Sequence, residues 1–142
     1  MRNNKGRVLG IDYGTKRIGV AVSDPMGIIA QSLTTLEYTQ LSDALTTLRK
    51  IILEYDVSEA VVGCPLTLSG QSNSTTRKAR AFFEEVRKLA DLRVAFVDER
   101  FTSTIAESVL RQMGQSPSKN KGKIDKMAAA VLLQSYLDRI TS

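Results

Sequence analysis

The chain has 142 residues, enough for one complete core and too few for two ordinary domains. Its composition, 42% apolar and 25% charged, is that of a folded globular protein, and twenty Lys and Arg against fifteen Asp and Glu leave a net charge of +5 that favours an anionic partner such as nucleic acid. One cysteine and no histidine exclude an intrachain disulfide and a zinc cluster. No apolar run reaches membrane-spanning length, no hydrophobic signal region follows the basic Arg2, Lys5 and Arg7, and the lone cysteine suits a reducing compartment, so a cytoplasmic protein without a membrane partner is expected.

In chain order, residues 7–13 (RVLGIDY), 17–23 (RIGVAVS) and 28–36 (IIAQSLTTL) are short and rich in β-branched or apolar residues. Gly-Thr-Lys and Asp-Pro-Met-Gly turn signals separate them, which predicts three strands joined by two hairpins. Leu41, Ala44, Leu45, Leu48, Ile51, Ile52 and Tyr55 then recur at helical spacing, predicting an amphipathic helix over 40–56. A buried strand, AVVGCP (60–65), follows, with Cys64 as a small core residue.

A polar loop after Pro65 leads into a second helix with Ala79, Phe82, Phe83, Val86 and Leu89 on its apolar face. RVAFVDE (93–99) is a further apolar strand that ends in acids. Thr104-Ile-Ala-Glu107 matches a capping box, so a third helix is expected to start near Thr104 and to end by Gly114. Residues 114–124 (GQSPSKNKGKI) read as a mobile basic loop. A last helix over Ile124–Ile140 would present Met127, Ala128, Val131, Leu132, Ser135 and Tyr136 or Leu137 on one side. The order β-β-β-α-β-α-β-α-α implies an α/β fold: one domain over 1–142 with a mixed five-stranded sheet, its hairpin part continued by right-handed crossovers that put helices on both faces.

Four acids stand out by their surroundings. Asp12 ends the first strand, Asp98 and Glu99 end the fifth, and Asp125 opens the last helix. Sites in open α/β sheets form at the carboxyl ends of strands, and a last helix packed across the first strand would bring Asp12, Asp125 and an acid of the Asp98–Glu99 pair together. Such a cluster raises its own pKa values unless cations offset the repulsion. Mg²⁺ or Mn²⁺ does so with oxygen ligands, and two such ions about 3.5–4 Å apart serve phosphodiester cleavage without any histidine.

Cations crowd the same places: Lys16 and Arg17 beside Asp12, Arg100 after the fifth strand, and Lys119, Lys121, Lys123 and Lys126 around Asp125. They suit the phosphates of structured RNA or branched DNA, bound through backbone and shape.

GIDYGTKRIGVAVSD, VVGCPLTLSG, VDERFTS and NKGKIDKMAAAVLLQSYL together resemble the YqgF/RuvX family of RNase H-like nucleases, described as Holliday junction resolvases or as nucleases maturing the precursor of small-subunit ribosomal RNA. The resemblance runs from residue 10 to 137. It implies an RNase H-like fold and divalent-metal-dependent hydrolysis carried by Asp12, one acid of the 98–99 pair and Asp125. In sheets of that fold the 93–99 strand lies two places from the first, about 9–10 Å away at ordinary strand spacing. The longer Glu99 is therefore the expected ligand, with Asp98 as an orienting or alternative one, since successive strand residues point to opposite faces. Processing of the pre-16S rRNA 5′ end is the expected function, with junction resolution in DNA recombination as the alternative, by a monomer or a homodimer.

Two other readings compete. The first motif also resembles the first phosphate motif of the sugar kinase, actin and heat-shock ATPase superfamily, and one domain of this size would supply half of such a site. A non-catalytic nucleic-acid module is the third.

Overall fold

The computed structural model describes residues 6–64, 74–90, 92–98 and 102–141. Five strands form one sheet: β1 (Arg7–Asp12), β2 (Arg17–Ser23), β3 (Ala30–Glu37), β4 (Val57–Cys64) and β5 (Arg93–Asp98). Their order is β3-β2-β1-β4-β5, antiparallel from β1 to β3 and parallel where β4 and β5 join. This is the mixed sheet expected from the hairpins and crossovers. The central β1 is buried on both faces and reads as an unbroken apolar run up to Asp12, whereas no residue of the edge strand β3 is fully buried.

Four helices cover the sheet: α1 (Leu41–Glu54), α2 (Ser74–Arg87), α3 (Thr102–Gln112) and α4 (Lys121–Thr141). Along β1, Leu9 and Ile11 join Val20, Val62, Leu48 of α1 and Phe82 of α2 in one core. Val8 joins Ala21, Val61 and the α4 residues Ala129, Leu133 and Leu137 in a second core on the opposite face. Helices thus flank both faces, with α3 packed along α4 and burying Ala106 and Leu110.

Several boundaries differ from the sequence reading. α4 starts at Lys121, three residues early, and residues 117–119 form a 3-10 turn. Gly122 sits inside the first turn of α4, where the Thr35 hydroxyl of β3 donates to its carbonyl. α3 begins at Thr102, so Thr104 lies within the helix rather than at its cap. Glu107 instead pairs with Arg111, one turn on. The face of α4 against the sheet is centred on Ala129, Leu133 and Leu137, while Ala128 and Leu132 are buried beside it. A helix held between a sheet and another helix has no single apolar stripe for periodicity to find.

The β2–β3 turn is ordered by one side chain. The Asp24 carboxylate accepts from the amides of Met26, Ile28 and Ile29 at 2.7–3.0 Å, and Gly27 takes the left-handed backbone (φ 72) that the turn needs. These amides, Ile29 first, hold the Asp24 pKa below its ordinary 3.8. The turn is therefore fully supported above that ordinary value and loosens as pH falls through the lowered one. Ile28 and Ile29 lie in this turn ahead of β3 and are exposed.

Candidate functional site

Asp12 occupies the last position of β1 and is 9% exposed. Its neighbours across the sheet are Gly19 on β2 and Gly63 on β4, so its two register partners carry no side chain. The row continues through Gly63 to Val97 of β5. A carboxylate in this buried place needs polar or cationic company. It shares a sheet face with Val8, Gly10, Ala21 and Val61, the face that α4 covers.

α4 approaches that face closely because two glycines allow it. A Cβ at Gly10 would stand 2.7 Å from Leu133 Cβ and 3.0 Å from the Ala129 carbonyl oxygen, and one at Gly19 would run into the Asp125 carbonyl. The Asp125 backbone thus lies directly over the strand neighbour of Asp12. β3 fixes the height and register of the helix there. Besides the Thr35 bond, the Ser32 hydroxyl donates to the Lys126 carbonyl at 3.1 Å, and the Gln134 amide accepts from Ala30 N–H at 2.9 Å and donates to the Ile28 carbonyl at 2.9 Å.

The Asp125 carboxylate turns toward the β1–β2 hairpin, where Oδ2 accepts from Arg17 Nε at 2.6 Å. The two side chains are 32% and 21% exposed, so this is a charge-assisted bond only partly screened by water. Arg17, expected as a phosphate contact, is in this structure the partner of an acid. The sequence signal for Gly19 was present: it sits two residues after Arg17 on the same strand, hence on the same face.

The other expected residues fall as follows. Lys16 is exposed in the β1–β2 turn, Lys119 ends the 3-10 turn and Lys121 opens α4, both exposed. Lys123 donates to Gln115 Oε1 at 2.9 Å, and Lys126 is half-buried in α4. Asp98 ends β5 opposite Cys64, and the side chains of both lie outside the described residues, as do Glu99 and Arg100 entirely. Among the described residues no group of three acids, cysteines or histidines is placed to hold a metal ion. Of the expected acids, the structure describes Asp12 at the end of β1 and Asp125 on α4, the latter bonded to Arg17.

Two clefts meet at Arg17. One, of about 520 Å³, lies between α3 and the start of α4 and is lined by Arg111, Glu107, Ser118, Lys121 and Asp125 besides Arg17. The other, of about 700 Å³, opens over the hairpin beside Lys16, Glu37 and Tyr38. Tyr38 donates its hydroxyl to the Gly14 carbonyl at 2.6 Å. Burial, with Tyr13 adding to it, pushes its pKa up to about 12, so it remains a hydroxyl at working pH and is no base. The first cleft is not legible in the sequence because its cations, Arg17, Arg111 and Lys121, come from β2, α3 and α4, which only the folded chain brings together.

A mixed five-stranded sheet of order β3-β2-β1-β4-β5 with helices on both faces is the RNase H-like fold. Thermus thermophilus RuvC in complex with Holliday junction substrate shares this fold with a TM-score of 0.60 at 16% identity, over 95% of this chain and 96% of that one. A family model described as RuvX, Holliday junction resolvase, matches residues 6–139, and the chain belongs to that family. Among its relatives, a Koribacter versatilis protein named "Putative pre-16S rRNA nuclease" is 46% identical over 94% of this chain and 88% of its own length. A Roseiflexus sp. protein of the same name is 38% identical over 97% and 98%. Among the described residues no helix is long and apolar enough to cross a membrane.

Proposed function

We propose that this protein, read as one domain over 1–142, is a divalent-metal-dependent nuclease of structured nucleic acid whose substrate is the 5′ end of precursor small-subunit ribosomal RNA. The observation that carries the reading is the convergence of Asp12 and Asp125, 113 positions apart in the sequence, on one face at one end of the sheet. Nothing in the fold requires acids there: apolar residues would pack the same strand end without the cost of burying charge. The relatives named for pre-16S rRNA supply the substrate.

The donor set fits a hard cation. Mg²⁺ binds through one or two carboxylates and completes its shell with water and phosphate oxygens, and the acids on the α4 face are carboxylates of that kind. Asp12, Asp125 and Glu99 would hold Mg²⁺ or Mn²⁺. Bound there, a pair of such ions supplies activation of a water and neutralises charge on the departing oxygen. On β5, Val94 and Phe96 belong to the α1–α2 core and Ala95 and Val97 to the α4 core. The α4 face is thus that of odd positions, the parity of Glu99 and not of Asp98, which supports Glu99 as the ligand. Arg17 holds the Asp125 carboxylate at the strand end, and Lys16, Lys119, Lys121, Lys123, Lys126 and Arg100 are the candidates for meeting phosphates.

Asp12→Asn, Glu99→Gln and Asp125→Asn are each expected to lower cleavage of labelled ribosomal RNA precursor with Mn²⁺ by on the order of 10³-fold or more, with unchanged circular dichroism. Full activity in any two of them overturns the three-carboxylate site. A four-way DNA junction assayed beside the RNA tests the second reading, which the family's resolvase description favours. Faster cleavage of the junction would move the substrate to DNA.

A further inference from the structure

The 520 Å³ cleft between α3 and the start of α4 does not include the strand-end carboxylate of Asp12, but Arg17 and Asp125 are part of its lining. Its basic groups are held in different ways. Arg17 is committed to Asp125 at 2.6 Å. Arg111 reaches Glu107 only at 3.6 Å across one helical turn, with side chains 63% and 39% exposed, so water and salt screen that pair and little holds it. Lys121 forms no ion pair among the described residues.

Ile124 and Pro117 add an apolar wall. Two weakly held cations lining one cleft together with apolar residues match a nucleotide, whose phosphate takes the charges while its sugar lies on the apolar part. The hairpin cleft shares Arg17, so a strand that crosses the Asp12–Asp125 end has a continuous path from Lys16 to Arg111.

We propose that the α3–α4 cleft is a phosphate subsite for the nucleic-acid strand next to the cleaved bond, with Arg111 and Lys121 as its cations and Glu107 as the carboxylate that the phosphate displaces from Arg111. The assignment rests on the nuclease reading and adds to it a place for the flanking strand. Glu107 then acts as a competitor: its charge lines the same cleft and weakens binding by repelling the incoming phosphate. Phosphate contacts release condensed counterions, and each one steepens the dependence of affinity on salt.

The test is binding of fluorescein-labelled single-stranded RNA, and of DNA of the same sequence, in EDTA so that no cleavage intervenes, titrated from low to moderate salt. Arg111→Gln and Lys121→Gln are each expected to weaken binding several-fold and to lower the slope of log affinity against log salt by about 0.7. Lys50→Gln, the same charge change on the exposed side of α1, is expected to leave the slope unchanged. Glu107→Gln is expected to tighten binding several-fold, and Glu54→Gln on α1 to leave it as it was. Slopes for Arg111→Gln and Lys121→Gln equal to that of Lys50→Gln, with the unaltered protein still binding, overturn the cleft assignment and leave the nuclease reading intact. Failure of the unaltered protein to bind either strand overturns the cleft assignment, and cleavage of the ribosomal RNA precursor with Mn²⁺ decides the nuclease reading separately. Equal losses on RNA and DNA assign the subsite to phosphate alone, and a loss confined to one strand type overturns that backbone-only assignment.

Discussion

On the α1–α2 side the sheet presents Leu9, Ile11, Ile18, Val20 and Val62, and the helices answer with Leu48, Ile52, Phe82 and Val86. On the α4 side the same strands present Gly10, Gly19, Ala21 and Asp12 beside Val8 and Val61, and the helix answers with Ala129, Leu133, Leu137 and backbone. Large side chains interdigitate and bury area, which is where most of the folding free energy comes from. Small ones bury less and let a helix backbone sit against strands. The first face therefore supplies cohesion, and the second fixes where Asp125 stands relative to Asp12.

Mutations at equally buried positions should separate the two. Leu48→Ala, in the large-residue core, is expected to cost about 2–5 kcal/mol in urea unfolding, with cleavage per folded molecule unchanged. A comparable loss of specific activity would show that the α1–α2 face also shapes the site. Gly19→Ala should cost about 1–3 kcal/mol through overpacking, and should depress cleavage far beyond what the unfolded fraction explains, because the new methyl must push the Asp125 carbonyl away. Unchanged stability and activity would end the claim that Gly19 sets the helix height. The smallest effect is expected for Arg17→Gln. It leaves Asp125 without its guanidinium, and with both groups partly solvated the loss is about 1 kcal/mol, or a melting temperature lower by about 3 °C. Arg17→Lys should recover part of it, since a point charge replaces a planar fork.

Much of the architecture was legible from patterns with short-range causes. The three leading strands follow from β-branched runs broken by turn signals, and α1 from seven apolar residues at helical spacing. Asp12 was conspicuous because an acid closed an apolar run. Legibility failed where two elements share responsibility for one conformation. Lys121–Lys123 reads as loop because residues 114–124 carry Gly, Ser, Pro and Lys with almost no apolar content, and the bond from Thr35 on β3 ties this turn of the helix down from across the fold. The helical face of α4 was misjudged by one position because α3 covers a second side of it. Arg17 was read as available to phosphate because its acid partner lies 108 residues away.

The sequence by itself determined the class of chain, the order of its elements and the identity of the acids at their ends, since periodicity, turn chemistry and charge are properties of neighbouring residues. Tertiary structure alone decided that Gly19 and Gly10 serve as a seat for α4, that Asp125 spends its charge on Arg17, and that Arg111 and Lys121 face one cleft. Each of these depends on the distance between segments far apart in the chain, and that distance is set by packing, which no local pattern records.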